Sequence, residues 1–296
     1  VLGMHYTKNG SRAVGNFWLR HNKYWDRFSV AFSGGFSSHP YGNGTMGSFE
    51  AGWYPMGGLK VCAGGVKSMR LPTFNDLYYT AKGYVSNPDL VPEDALMTRV
   101  GAFYNKRNFA ASALVYHRWG TNIIDWVKAP GEDVWRSMQI TGINNIGVEL
   151  TAGWSDDSAV LRQALASYGY IINDKSSGSY ISKYALDYMR NKLSVKLAAA
   201  PFANCGGVLK SVTMSAAGTL YDREGNYADA SGETLSYTPY FLLDGRLAWN
   251  GRVLELYLEG TNLLQTEYFD YGGLRMPPMW ANLGVIATFA NKQIKH

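Results

Sequence analysis

The stretch Ser68–Tyr104, SMRLPTFNDLYYTAKGYVSNPDLVPEDALMTRVGAFY, decides how the chain is read. A run with strand character, Leu59–Met69, leads into it, and a second, Leu96–Tyr104, leads out. The connection between them carries Pro72, Tyr78, Tyr79, Gly83, Asn87, Pro88 and Pro92. Neighbouring strands are usually joined by a few residues, so a connection this long is either functional or disordered. Its two tyrosines and scarce charge argue for order. The pattern predicts two antiparallel strands joined by a structured loop.

Working outward, apolar residues recur mostly at every second position, the period of a half-buried strand. Strands are expected at Ser11–Arg20, Tyr24–Phe32, Thr45–Tyr54, Leu59–Met69, Leu96–Tyr104, Asn108–Arg118, Asn145–Trp154, Val160–Ile172, Leu186–Ala199, Val208–Tyr221, Tyr240–Trp249, Arg252–Asn262 and Trp280–Phe289. Tight turns are expected at His21–Lys23, Pro55–Gly58, Asn105–Arg107, Ser155–Ser158, Pro201–Gly207 and Asn250–Gly251, the last a strong hairpin signal. The other connections are long. They include Ser33–Gly44, a loop holding Trp119, Trp126 and Trp135, and loops around Lys175–Ser179, Asp222–Glu233 and Tyr268–Pro277. Short turns thus alternate with long loops. Outer-membrane barrels have this asymmetry, and strands of about ten residues suffice to cross a bilayer.

The faces fit. Leu254, Leu256 and Leu258 point one way, Glu255, Tyr257 and Glu259 the other. Phe241, Leu243, Leu247 and Trp249 oppose Asp244 and Arg246. The alternation is poorest in Asn108–Arg118 and Val160–Ile172. A soluble β protein gives the same alternation with its apolar side inward, so periodicity leaves both arrangements open. Trp154, Trp249 and Trp280 at strand ends match an interfacial girdle and favour the membrane. The expected fold class is all-β, an antiparallel transmembrane β-barrel.

Composition agrees and excludes other classes. Twenty-one Tyr, 9 Trp and 12 Phe stand against 17% charged residues in 296, as suits a β protein with apolar surface to cover. No apolar run reaches the length of a spanning helix, and no leader-like segment opens the chain. The net charge of +5 is spread along the chain, so nucleic acid is not expected as a partner. Cys62 and Cys205 have no metal-ligand spacing and read as small apolar residues. His5, His21, His39, His117 and His296 are scattered, and no nucleophile or phosphate-loop motif occurs, so neither an enzyme nor a cofactor is expected.

Arg70-Leu71-Pro72, then Thr73 to Tyr79, then Asn87-Pro88-Asp89-Leu90 and Pro92-Glu93, resembles the TonB-dependent outer-membrane receptors. In that family an Arg-x-Pro box and an Asn-Pro-x-Leu box share one long surface loop. The chain's end is similar too. Leu254 to Leu264, Tyr268 to Gly273 and Pro277 to Trp280 look like the family's last hairpin, with Asn262-Leu263 closing the penultimate strand. Phe289 matches the aromatic residue that ends the barrel, although the chain continues through a short tail, residues 290–296.

The resemblance implies that residues 1–296 are the C-terminal portion of a 22-stranded barrel, with the plug domain absent. It implies a receptor for active uptake of a large scarce nutrient in the outer membrane of a Gram-negative bacterium. Its partners would be outer-membrane lipid, the TonB complex acting through the missing N-terminal plug, and a possible surface lipoprotein. Haem-type members usually carry a histidine between the two boxes, and Thr73–Ser86 holds none. Gly120–Val127 looks like the corresponding run of cobalamin- and siderophore-type members, so the implied ligand is cobalamin or an iron chelate.

The resemblance makes Arg70, Pro72, Asn87, Pro88, Glu93, Asn262 and Phe289 structural, and Arg70 and Glu93 are expected to pair at the loop's base. The loop aromatics Tyr78, Tyr79, Trp119, Trp126, Trp135, Tyr268 and Tyr271 are the candidate ligand contacts, since exposed aromatics on loops suit binding. Two other readings stand beside this one: a passive outer-membrane porin or channel, and a soluble all-β glycan-binding module. A propeller would repeat every 40–50 residues or so, and no such repeat is visible.

Overall fold

The computed structural model describes residues 5–289, apart from 9–10, 41, 130, 177–179, 184–187, 229–232 and 271–272. Among the described residues thirteen long strands follow one another in chain order, each hydrogen-bonded antiparallel to the next. The first seven are β1 (Gly15–Tyr24), β2 (Phe28–His39), β3 (Gly42–Met56), β4 (Leu59–Arg70), β5 (Glu93–Lys106), β6 (Phe109–Lys128) and β7 (Trp135–Ser155). The others are β8 (Leu161–Ser176), β9 (Tyr188–Ala199), β10 (Val212–Glu224), β11 (Tyr240–Asn250), β12 (Leu254–Thr261) and β13 (Trp280–Ala287). Among the described residues β1 and β13 are not paired with each other, so the sheet is not closed. The longest connections, residues 71–92, 225–239 and 262–279, lie at one end, where residues 40–41 and 129–134 make shorter ones; the other end has short turns except at residues 200–211.

Pairing alone does not say which face is outside; exposure does. On β12, Leu254, Leu256 and Leu258 are 46%, 45% and 51% exposed, while Glu255, Tyr257 and Glu259 are half-buried. Leu247, Leu258 and Leu283 are exposed and directly opposite one another across β11, β12 and β13. Phe32, Phe49, Ile146 and Ile172 continue this exposed apolar face across the earlier strands. The opposite face carries the charges. Arg246 bonds Glu255 at 2.5 Å, approaches Glu259 at 3.5 Å and lies 4.1 Å from the Tyr257 ring centroid. Glu50 lies between Lys60 and Arg99, at 2.6 Å from each. A soluble sheet hides its leucines and shows its ion pairs; this sheet does the reverse, the polarity of a sheet with hydrocarbon outside and water inside.

Glycines let aromatic rings lie flat across neighbouring strands on the polar face. Tyr257 is opposite Gly284, and Tyr116 is opposite Gly147; in both pairs the ring occupies the space a Cβ would need.

The strand boundaries correct several expectations. β1 runs through His21–Lys23, and the turn falls at residues 25–27, because polar residues cost nothing on an exposed edge strand. β2 and β3 extend through most of the expected Ser33–Gly44 loop. The loop expected to hold Trp119, Trp126 and Trp135 is instead a β6–β7 hairpin of 20- and 21-residue strands. At about 3.3 Å per residue such strands far exceed a bilayer crossing, so the hairpin projects beyond the rim. Gly120 and Asn122 read as loop residues. In fact Asn122, at φ 54°, does not shift the register of the ladder: Thr121 is opposite Gly142 and Ile123 opposite Ile140. Ile123, Val127, Ile140 and Ile143 then form a small core that supports the projection. The last strand ends at Ala287, leaving Phe289 beyond it and 84% exposed.

A methyl group at Gly284 must displace the Tyr257 ring. Gly284→Ala is expected to destabilise the barrel by roughly 1–3 kcal/mol. Gly169→Ala, where a Cβ meets open space, should be nearly neutral. Urea unfolding of the two variants, followed by heat-dependent gel mobility, checks the difference.

Candidate functional site

The long-loop rim carries two groups of side chains. The first is built on the Ser68–Tyr104 stretch. Arg70 and Glu93 are the last register pair of β4 and β5. Arg70 Nε donates to Glu93 Oε2 at 2.8 Å and Nη2 donates to Oε1 at 2.5 Å. Glu93 is buried and also accepts the backbone N–H of Ile124 at 2.7 Å. One carboxylate therefore ties together β4, β5 and the projecting part of β6. Arg70 is about half exposed, which weakens its share, but a buried acceptor serving a backbone donor is costly to remove.

Above this base the chain makes a short helix, α1 (Phe74–Tyr78). Thr73 and Asp76 form a reciprocal cap: Asp76 N donates to Thr73 Oγ1 at 3.2 Å, and Thr73 N donates to Asp76 Oδ2 at 2.9 Å. The Thr-x-x-Asp spacing is a short version of the capping box and is the signal that could have located this helix in the sequence. Pro72 is fully buried, and its carbonyl accepts from Arg12 at 2.5 Å. Asn87 donates its N–H to the Asp76 carbonyl at 3.0 Å, and its side chain accepts from Asp89 N at 2.9 Å, holding the turn around exposed Pro88. Leu77, Leu90 and Ile124 form the loop's own core, with Tyr78 against it.

The expected ligand aromatics divide here. Tyr79, Tyr84 and Trp126 meet edge-on, with centroids 5.6–6.3 Å apart, and Tyr6 lies 5.7 Å from Tyr79. Trp126 is buried. Trp135 lies under Lys128 at 5.2 Å and Lys183 at 5.5 Å, and it bonds Gly83 through its N–H. These rings spend their faces on each other and form a core for the rim. Trp119 is elsewhere. It is opposite Leu96 on the exposed apolar face, 3.7 Å from the His117 ring and apart from the other candidate aromatics.

The second group lies between the β10–β11 and β12–β13 connections. Tyr240 stacks between Tyr221, at 5.0 Å, and Tyr268, at 4.7 Å. Tyr227 lies between Phe269, at 5.1 Å, and Tyr237, at 5.0 Å. Arg223 is buried, bonds Asp270 at 2.5 Å and lies 5.5 Å from the Tyr237 ring. Of the expected residues this group contains only Tyr268; Tyr271 lies outside the described residues. The crowding of tyrosines over residues 221–240 was the signal for the rest. Asn262 positions this group from below. At φ 49° it donates its N–H to Asp244 at 2.9 Å, and its amide exchanges two 2.9 Å bonds with Thr266. Among the described residues no three His, Cys, Asp or Glu side chains gather as a metal site.

A family model described as TonB dependent receptor-like, beta-barrel, matches residues 5–263. The chain is similar in fold to the FrpB iron transporter of Neisseria meningitidis, with TM-score 0.70 at 15% identity, covering 94% of this chain and 44% of that one. The ferric enterobactin receptor PfeA of Pseudomonas aeruginosa gives 0.70 at 15% identity, covering 94% and 45%. The siderophore receptor PirA of Acinetobacter baumannii gives 0.70 at 14% identity, covering 94% and 46%. The chain thus spans less than half the length of these structures. No curated protein matches it.

The Arg70–Glu93 geometry yields a test. A charge swap, Arg70→Glu with Glu93→Arg, restores the ion pair but leaves the buried Ile124 N–H without its acceptor. The swap is therefore expected to remain about 1–3 kcal/mol less stable locally than wild type, whereas Glu93→Gln loses less than Glu93→Ala. Amide exchange at Ile124 and limited proteolysis within residues 72–92 read both outcomes.

Proposed function

Because the chain belongs to the TonB-dependent receptor β-barrel family, we propose that it is part of an outer-membrane receptor that takes up an iron chelate of the siderophore type. The observation that carries this reading is the family match over residues 5–263, on a sheet whose leucines face outward and whose ion pairs face inward. In the whole receptor, energy would arrive from TonB through a plug, and the present chain would supply barrel wall and surface loops. The solved structures of similar fold include an iron transporter and two siderophore receptors by name, which supports iron over other cargo. The run Gly120–Val127 resembles cobalamin- and siderophore-type members alike, so it does not choose between the two cargoes. That run lies within the β6 strand, where Ile123 to Val127 are all buried, so it offers a passing ligand little contact.

Two experiments test the reading. In an iron-limited Gram-negative host, deleting the gene that carries this chain is expected to abolish uptake of a radiolabelled ferric siderophore, as deleting TonB does. Loss of cyanocobalamin uptake with iron uptake intact would overturn the cargo, and unchanged uptake of both would overturn the receptor. For location, Leu258→Arg on the exposed face is expected to destabilise the barrel by about 2–4 kcal/mol if it lies near the bilayer midplane. The neighbouring Glu259→Gln should cost far less. Recovery in the outer-membrane fraction distinguishes them.

A further inference from the structure

The second rim group encloses a cavity of 260 Å³. The two aromatic stacks supply its walls: Tyr240 and Tyr268 from one, and Tyr227, Tyr237 and Phe269 from the other. Between them the lining is the hydroxyls of Ser236 and Thr238, the carboxylate of Glu267 and the apolar side chain of Leu235. Ser236 donates its hydroxyl hydrogen to Asn226 at 2.7 Å, which leaves its oxygen able to accept. No Lys or Arg is among the described lining residues. The nearby cations are turned to carboxylates, Arg223 to Asp270 at 2.5 Å and Arg275 to Glu267 at 3.2 Å.

This lining selects by charge and shape. Aromatic faces carry the negative side of the ring quadrupole and attract C–H edges, not anions. The loop tyrosine Tyr268 has its hydroxyl pKa raised, first by burial and then by Tyr221, Asp270 and Asp244, so the local field opposes a further negative charge. An anionic catecholate-type chelate would need cations that the cavity does not offer. Pockets for whole drug-sized ligands start at about 300 Å³, so 260 Å³ suits one ring of a larger ligand. A sugar ring has what the walls ask for: C–H faces to lie on tyrosine, and hydroxyls for Ser236, Thr238 and Glu267.

We infer that this cavity is a subsite for one neutral, hydroxyl-bearing sugar ring. Two sources present such a ring, a glycosylated iron chelate and a free glycan, and the test below separates them. The inference rests on the receptor reading only in taking the long-loop rim as the side from which ligand arrives.

The test uses the full-length receptor in detergent. The probes are maltose, cellobiose and laminaribiose, a glucosylated ferric catecholate and its aglycone, read by saturation-transfer NMR and calorimetry. Wild type is expected to bind at least one neutral disaccharide through its ring protons, and to prefer the glucosylated chelate to the aglycone if the sugar arrives on a chelate. Tyr227→Ala and Tyr268→Ala should each weaken that binding at least tenfold. Tyr227→Phe, which keeps the ring, and Tyr79→Ala, in the other rim group, should leave it within about twofold. Failure of wild type to bind any sugar-bearing probe overturns the subsite. So does binding that survives both alanine variants, or an aglycone that binds as well as its glucoside and is lost in the same variants. Heat-dependent gel mobility certifies that each variant is folded. Iron uptake by the same receptor separates failure of the subsite from failure of the receptor reading.

Discussion

Everything in this chain depends on an unbroken antiparallel ladder from β1 to β13. In hydrocarbon no water is available to satisfy a peptide group, so each strand's N–H and C=O must be taken up by its neighbours. Once the ladder does this, the side chains are free to divide by face: leucine, valine and phenylalanine outward, ion pairs inward. The division holds across the middle of the sheet because register is continuous there; the shifts lie near strand ends, between Trp53 and Met56, Leu161 and Gln163, and Met189 and Asn191. The row Leu197, Ala216, Gly245, Gly260 and Ala281 crosses five strands pair by pair without slipping a residue, and a one-residue slip would have turned every side chain in it to the wrong side. Among the described residues β1 and β13 are the two edge strands of the sheet.

The rim solves a different problem. Loops leave the ladder and lose its hydrogen bonds, so a few side chains must replace them. Glu93 does so at the first rim group by accepting from both Arg70 and the Ile124 amide. Asn262 does so at the second, through its φ of 49° and its paired bonds to Thr266. Both residues are small anchors under large aromatic clusters. The two clusters then diverge. Around Tyr79 and Trp126 the rings fill the space between them and act as core. Around Tyr227 and Tyr240 they stop short of each other and leave a cavity.

That divergence marks the limit of reading aromatics from sequence. Trp119, Trp126 and Trp135 have the same residue type and similar spacing, yet one lies on the exposed apolar face, one is buried in the loop core and one stacks with lysines. The strand carrying the first two continues past Asn122 because that single left-handed residue leaves the pairing with β7 in the same register on either side. A polar, glycine-bearing segment looks like a turn whether the ladder ends there or not.

The sequence by itself determined the class, the order of the strands, the alternation of their faces and the rim that carries the long loops. It could do so because strand period, turn chemistry and the boxes around Pro72 and Asn87 are local properties, expressed within a few residues. It also singled out Arg70 and Glu93, since residues that end paired strands are forced to be neighbours. Tertiary structure alone decided which face is outside, how far β6 and β7 project, and which aromatic rings meet. Those outcomes depend on contacts between residues far apart in the chain, such as Tyr6 with Tyr79 or Tyr227 with Phe269, whose energies exist only after the ladder has brought them together.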